Sequence, residues 1–263
     1  MQLIAVDIGN SFTKIGVSRS ADCSPFGGDW STVKLRLQND RPLVLDSTEL
    51  KLSGDPALWA VSSVNSLRAE ELDAWISKHR SGDHFHLISE SDVDLRSDVQ
   101  SRKQLGRDRL VAAWMAVELN DGAGPVIVVD AGTAVTIDLV DRELTFQGGY
   151  IFPGADSNFR QLVQNTDALP PLSQTQKSKL LGGLDYGSVG KSTEQAIFNG
   201  VYQSQIGGII GIVAAMSRKI SGEPTIYLTG GGIEEISSFL PESWIRVPDL
   251  VLRGAIGIGQ QVS

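Results

Sequence analysis

The sequence predicts an α/β chain built from two similar halves, and three observations carry that reading. Asp7-Ile8-Gly9-Asn10-Ser11-Phe12-Thr13 is matched by Asp130-Ala131-Gly132-Thr133-Ala134-Val135-Thr136, with Asp, Gly and Thr at the first, third and seventh places, and the second copy begins near the middle of the 263 residues. Each copy lies between two short apolar runs, which gives it a strand–turn–strand setting. Asn120-Asp121-Gly122-Ala123-Gly124-Pro125 breaks the chain between them. The expected halves are therefore 1–120 and 121–263, with the last helix free to pack back on the first half. Two unrelated hairpins would favour Asp and Gly in their turns as well, so the repeat rests on its context as much as on its three matches.

The elements follow in order. Leu3–Asp7 and Thr13–Val17 predict a hairpin around Gly9-Asn10-Ser11. Residues 20–57 are weakly patterned. Trp59–Val64 reads as a strand. Leu67, Leu72, Trp75, Ile76 and His79 recur at helical spacing, and Phe85–Ile88 returns to strand. Residues 89–105 are polar and aperiodic, after which Leu110, Ala113, Trp114 and Val117 share one helical face. In the second half, Val126–Asp130 and Val135–Val140 flank Ala131-Gly132-Thr133-Ala134. Glu143–Gln147 and Tyr150–Phe152 read as two more strands, and 155–192 as a helix with a long loop. Glu194–Met216 is helical in pattern. Its Gly207, Gly208 and Gly211 each cost about 1 kcal/mol of helix propensity, which points to a close-packing face. Thr225–Leu228 is a strand entering Thr229-Gly230-Gly231-Gly232, Ile233–Leu240 a helix, and Leu250–Gly259 an apolar, glycine-rich end.

Composition excludes several function classes. A chain of this length buries a core without disulfides or a structural metal. Lys plus Arg is 23 against 31 for Asp plus Glu, a net charge of −8, so no basic excess exists to displace counterions from nucleic acid. Cys23 is the single cysteine, which excludes an intramolecular disulfide and fits a reducing cytoplasm. No basic segment followed by a long apolar one opens the sequence. The most apolar stretch, Ile206–Met216, is far short of the roughly 20 residues of a membrane span.

Paired Asp-x-Gly turns facing a cleft suit phosphate. Glycine lets backbone N–H groups approach phosphate oxygens, the hydroxyls of Ser11, Thr13 and Thr133 add hydrogen bonds, and Lys14 adds a charge. Asp7 and Asp130 would repel phosphate unless each holds a cation, and Mg²⁺ typically joins one or two carboxylates to substrate phosphates. In Gly106-Arg107-Asp108-Arg109, Asp108 is a candidate base kept ionised by its arginines, although Asp at a helix start is also a common cap. Gly190-Lys191-Ser192 resembles the end of a Walker A loop, but Asp185 stands where its first glycine belongs and no apolar strand precedes it; Ser192 and Thr193 open the next helix or touch substrate. His84 and His86 share a strand face without a third metal ligand, and Cys23 has no His nearby in sequence.

Together these motifs resemble the type III pantothenate kinase family of the actin and sugar-kinase superfamily. Asp7 to Lys14 resembles its D-x-G-N-[ST] opening, and Gly106 to Arg109 its G-x-D-R. Asp130 to Asp138 resembles D-x-G-T-A-x-T-x-D, and Gly148 to Gly154 resembles G-G-x-I-x-P-G. Leu162, Thr166, Leu169 and Pro170 fit L-x-x-x-T-x-x-L-P. Gly190 to Thr193 with Ala196–Gly200 fits G-x-x-T…A-I-x-x-G. The resemblance implies duplicated ribonuclease-H-like domains, with mixed sheets flanked by helices and a cleft between the domains. It implies ATP-dependent phosphorylation of the primary hydroxyl of pantothenate, the first step to coenzyme A, with Asp108 as general base. ATP phosphates would meet Asp7, Ile8, Gly9, Asn10, Ser11, Phe12, Thr13, Lys14 and Thr133. Pantothenate would meet Gly106, Arg107, Asp108, Arg109 and Thr193. Asp130 would bind K⁺ or NH₄⁺, and Asp7 would serve Mg²⁺. A cytoplasmic homodimer is implied, with Ile206–Met216 as a packing element.

The sequence departs from the family at one wall of the expected pantothenate pocket, where Val99 and Arg102 stand in place of a Tyr and a Pro. Arg102 is expected either to pair with the pantothenate carboxylate or to be a solvated loop residue. The alternatives to the pantothenate reading are a non-catalytic nucleotide-binding regulator on the same fold and a kinase for a related small hydroxy acid. The base-like Asp108 argues against the regulator.

Overall fold

The computed structural model describes residues 2–18, 32–46 and 50–262; Cys23 lies outside them. The chain divides into two compact units: Met1–Ala123 with Arg142–Gln147 and Asp249–Ser263, and Gly124–Asp141 with Gly148–Pro248.

In the first unit, β1 (Gln2–Ile8) pairs antiparallel with β2 (Phe12–Ser18), which pairs antiparallel with β3 (Thr32–Gln38). On its other side β1 runs parallel to β4 (Ala57–Ser63), and β4 to β5 (His84–Leu87). The order is β3-β2-β1-β4-β5. The parallel step from β1 to β4 explains why both read as continuous apolar runs, since a central strand is covered on both faces. α1 (Ser66–His79) starts where the Asn65 side chain accepts from Arg68 N–H, an N-cap that satisfies one free helix donor. Leu72 and Ile76 of α1 then join Ile4, Val6, Ile15, Trp59 and Val61 in one core. The aperiodic stretch before the next helix holds a two-residue strand, β6 (Arg96–Ser97), and a 3-10 turn at Arg102–Gln104. α2 (Arg107–Leu119) is buried at every position from Leu110 to Val117, which is why its sequence shows little amphipathic contrast.

The second unit repeats the order. β7 (Val126–Ala131) is antiparallel to β8 (Ala134–Val140) and β9 (Thr145–Pro153) lies beyond β8. On the other side β7 is parallel to β10 (Thr225–Thr229), and β10 to β11 (Ile245–Arg246). The order β9-β8-β7-β10-β11, to which β6 adds a sixth strand beyond β9, therefore repeats β3-β2-β1-β4-β5, as the duplicated Asp-x-Gly turns suggested. β9 is one strand where the sequence suggested two: Gly148 and Gly149 interrupt the hydrophobic pattern but not the pairing. A Cβ on Gly149 would lie 2.1 Å from the Ile137 carbonyl oxygen of β8, so glycine serves close approach there. Between β9 and β10 come α3 (Ala155–Gln164), α4 (Gln174–Leu181) and α5 (Thr193–Ser217). Ile206, Ile209, Val213 and Met216 of α5 pack into this unit's own core with Ile127, Val129 and Ile137. The segment expected to be a helix over 233–240 is one turn, α6 (Ile233–Ile236), continued by a 3-10 turn.

The last helix, α7 (Leu250–Val262), belongs to the first unit and packs on α2, β1 and β4. Its glycines allow this. A Cβ on Gly254 would fall 2.6 Å from Val111 Cγ1 and 2.8 Å from the Val111 carbonyl, and one on Gly259 3.1 Å from Ala60 Cβ. Among the described residues no helix is long and apolar enough to cross a membrane.

Candidate active site

The β1–β2 hairpin brings the first group together. Its register places Asp7 opposite Lys14 and Ile8 opposite Thr13, so the Lys14 Nζ lies 3.3 Å from Asp7 Oδ2. The loop is closed by a Gly9 N–H bond to the Phe12 carbonyl. Asn10 is exposed and Ser11 partly so. Two members of the expected phosphate set are not available through their side chains. Ile8 is buried in the core, leaving only its backbone. Thr13 is fully buried, and its hydroxyl donates to Asn39 Oδ1 at 2.7 Å and faces Arg68 Nε at 3.4 Å. The strand period turns Thr13 inward, away from the loop tip, so its hydroxyl shapes the hairpin rather than meeting a ligand. Phe12 stacks under the Arg36 guanidinium, 3.7 Å from its centroid.

Asp108 stands in the first turn of α2 in the same unit. It is not the N-cap; that position is Gly106, with no side-chain cap bond. Instead Asp108 Oδ1 accepts from the Arg109 backbone N–H at 2.8 Å. A Cβ on residue 106 would lie 2.5 Å from that oxygen, so the glycine leaves the carboxylate its place over the helix end. Burial and the charge of Asp7 push the Asp108 carboxyl above the usual carboxylate range, outweighing the Arg109 amide and guanidinium, which lower it. The arginines were expected to dominate this carboxylate, and they do not. Arg107 turns away to Glu90, with Nη2 2.8 Å from Oε2, and Arg109 lies 5.8 Å from the Phe146 centroid.

The β7–β8 hairpin of the second unit carries the other group. Its loop between paired strand residues is one residue shorter than that of β1–β2: Ala131 pairs with Val135, and Asp130 with Thr136. Asp130 and Gly132 thus correspond to Asp7 and Gly9, whereas Thr136 and Thr13 differ in register. The Thr133 carbonyl accepts from Gly154 N–H at 3.0 Å and Ser157 Oγ at 2.7 Å, and its side chain is exposed. Beside Asp130, Gly230 has φ +92°, and a Cβ on it would lie 2.3 Å from Asp130 Oδ1 and 2.4 Å from the Ala131 carbonyl oxygen. Two oxygens thus converge on a place that only glycine leaves open. Thr193 is exposed as the first residue of α5, behind the N-cap Ser192, which accepts from Gln195 N–H.

A family model for type III pantothenate kinase matches residues 3–215. A type III pantothenate kinase of Rhodospirillum rubrum is 30% identical over 266 residues, covering 97% of this chain and 96% of its own. The chain belongs to the type III pantothenate kinase family. Among solved structures, a Baf family protein of Campylobacter jejuni superposes with TM-score 0.58 at 20% identity, covering 98% of both chains. A candidate N-acetylglucosamine kinase of Chromobacterium violaceum reaches 0.50 at 13% identity, over 98% of both. These two likenesses bear on the fold alone.

Within this type III pantothenate kinase, Arg102 does neither of the things expected of it. Its guanidinium donates to the backbone carbonyls of Glu90 at 2.9 Å, Val93 at 2.8 Å and Leu95. It is a clamp on the 90–97 loop, with both Nη1 and Nη2 committed to backbone carbonyls. Arg102→Ala should cost about 2–3 kcal/mol of stability, since buried carbonyls lose their partners, and lower the melting temperature. A selective rise in acceptor KM without a stability loss would contradict the clamp. His84 is exposed, while His86 Nε2 lies 3.2 Å from Asp92 Oδ2; among the described residues no cluster of His, Cys, Asp or Glu could hold a metal on its own. Sequence reasoning missed Asn39, Arg68 and Ser62. Asn39 and Arg68 lie 26 and 55 residues from the Thr13 they hold. Ser62 pairs with Asp7 across β1–β4, its hydroxyl buried with no hydrogen-bond partner among the described residues.

Proposed function

We propose that Asp108 is the general base of an ATP-dependent phosphorylation of pantothenate at its primary hydroxyl, the entry to coenzyme A synthesis. The observation that carries this is a desolvated carboxylate with a raised pKa beside a second carboxylate, Asp7, on the hairpin that matches the family's opening motif. Phosphoryl transfer needs little covalent help; positioning and charge stabilisation do most of the work. Asp108 Oδ1 is fixed by the Arg109 amide, so the carboxylate is oriented to accept the hydroxyl proton as the oxygen attacks phosphorus. Burial and the charge of Asp7 raise its pKa, which makes the ionised carboxylate a stronger base. Lys14 and the backbone of Gly9 to Phe12 meet the phosphates. Arg109, close to Asp108 in the same turn, meets the acceptor. Thr133 and Thr193 are assigned to nucleotide phosphate and acceptor in turn.

The negative charge of Asp7, which raises the Asp108 carboxyl, would be offset by a divalent cation bound at Asp7. Asp7 would hold Mg²⁺ together with nucleotide phosphates, and that ion would neutralise charge developing on the transferred group. Asp130 Oδ1 and the Ala131 carbonyl, converging beside Gly230, are hard oxygen donors suited to a monovalent cation, K⁺ or NH₄⁺.

The test is product formation from ATP with and without pantothenate, in K⁺ and in Na⁺ buffers. Phosphopantothenate should form only with the acceptor present, and Na⁺ should replace K⁺ poorly. ATP turnover independent of any acceptor would sink the kinase reading. Equal rates in both buffers would remove the cation from Asp130. Assembly as a homodimer is expected to appear in the sedimentation of the same protein.

A further inference from the structure

We infer that Asn39, at the end of β3, is a positioning residue that sets the shape of the Gly9–Phe12 phosphate loop, with Arg68 locking it from behind. The inference rests on the reading of that loop as the ATP site.

Gly9 brings no side chain, and its N–H closes the turn on the Phe12 carbonyl. Asn39 adds bonds from outside the hairpin. Its Nδ2 donates to the Gly9 carbonyl at 2.7 Å, its Oδ1 accepts from the Thr13 hydroxyl at 2.7 Å, and its backbone N–H donates to the Ser11 carbonyl at 2.9 Å. One residue therefore fixes the first residue of the loop, its middle and the strand residue after it. By occupying the Gly9 and Ser11 carbonyls it also takes up the loop's acceptor groups, which would repel phosphate.

Arg68 completes the network. It is buried, and its Nε lies 3.4 Å from Thr13 Oγ1. Its Nη1 donates to the Arg41 carbonyl at 3.1 Å and to Glu71 at 2.8 Å, and Nη2 reaches the Gln38 carbonyl at 3.5 Å. A guanidinium holds Gln38 and Arg41 on both sides of Asn39, so the amide is presented in one orientation. Because α1 carries Arg68 and its N-cap Asn65 fixes the helix start, the loop geometry is tied to the body of the unit. Preorganised donors need no rearrangement when the ligand arrives.

The experiment uses the full chain with Asn39→Ala, Thr13→Val and Thr13→Ser. ADP and ATP affinities are measured by calorimetry, both substrate KM values by steady-state kinetics, and folding by thermal melts. Asn39→Ala should weaken nucleotide binding and raise the ATP KM about 5- to 50-fold, while the pantothenate KM stays within about two-fold; this is what loss of the two side-chain hydrogen bonds at one substrate's subsite gives, the backbone bond to Ser11 being kept. Thr13→Val, which keeps the shape but not the hydroxyl, should shift in the same direction, and Thr13→Ser should recover most of what it loses. A folded Asn39→Ala protein with wild-type nucleotide affinity overturns the inference. So does a loss in which both KM values rise together, or a Thr13→Ser protein as impaired as Thr13→Val. If Asn39→Ala does not fold, the valine and serine pair decides. Calorimetry does not depend on the acceptor, so wild-type protein that binds ATP but ignores pantothenate would fault the functional reading and leave the loop measurement standing.

Discussion

Asp108→Asn should fold, melt at or above the wild-type temperature near neutral pH, and lose turnover by at least ~10²-fold, the lower end of what a positioned base contributes. The amide keeps the size of the carboxylate and can still accept from the Arg109 N–H, so the helix start is preserved; only the basic oxygen is gone. The stability side follows from the direction of the pKa. Burial and Asp7 raise the Asp108 carboxyl in the folded chain, so the native state holds this proton more tightly than the unfolded state. Its ionisation is therefore destabilising, fully so above the folded pKa, and the penalty fades as pH falls toward the unfolded value. The variant's advantage should be present near pH 7 and shrink in acid. In wild type, kcat should fall on the acid side with a midpoint above the ordinary carboxylate range, and that limb should be missing from the residual rate of Asp108→Asn. Near-wild-type kcat in a folded variant would remove Asp108 from the mechanism.

The second large effect is expected at Gly230. Its φ of +92° already penalises any side chain, and a Cβ would collide with Asp130 Oδ1 and with the Ala131 carbonyl. Backbone cannot swing aside as a flexible side-chain end can. Gly230→Ala should destabilise the chain by about 3 kcal/mol or more, the sum of left-handed strain and a buried clash. It should also disturb Asp130 itself, so any protein that does fold should show a weakened response of rate to K⁺. Thermal melts and potassium titrations measure the two parts separately. An alanine variant with wild-type stability and an unaltered potassium response would mean that the β10–α6 turn is not shaped around Asp130.

Much of this was legible in the chain itself. Asp7-x-Gly9 and Asp130-x-Gly132 stand out because glycine between apolar strands marks a turn, and the matching sheet orders follow from the same pattern. The register shift between Thr13 and Thr136 was not legible, because one residue of loop length leaves no trace in an alignment of seven positions. β9 was cut in two by Gly148 and Gly149, since a strand that loses its side chains loses its period but not its hydrogen bonds. Asn39 and Arg68 were invisible for a different reason. They act on the hairpin through single side-chain atoms across 26 to 55 residues of chain, and Asn39 sits in a stretch with no periodic pattern. Arg102 was misread because backbone carbonyls are its partners, and any sequence has carbonyls.

The placement of α7 has a consequence for biosynthesis. The first unit's sheet and α2 are complete by residue 123, yet the surface that Gly254 and Gly259 press against, around Val111 and Ala60, is covered by residues 249–262. As the chain leaves the ribosome from its N-terminal end, this unit must wait with an apolar flank exposed while more than a hundred residues of the other unit are translated. The second unit has all its parts by residue 248 and can close first. The half that is made first is thus the half that finishes last, and the interval between is when a holdase chaperone has the most to cover.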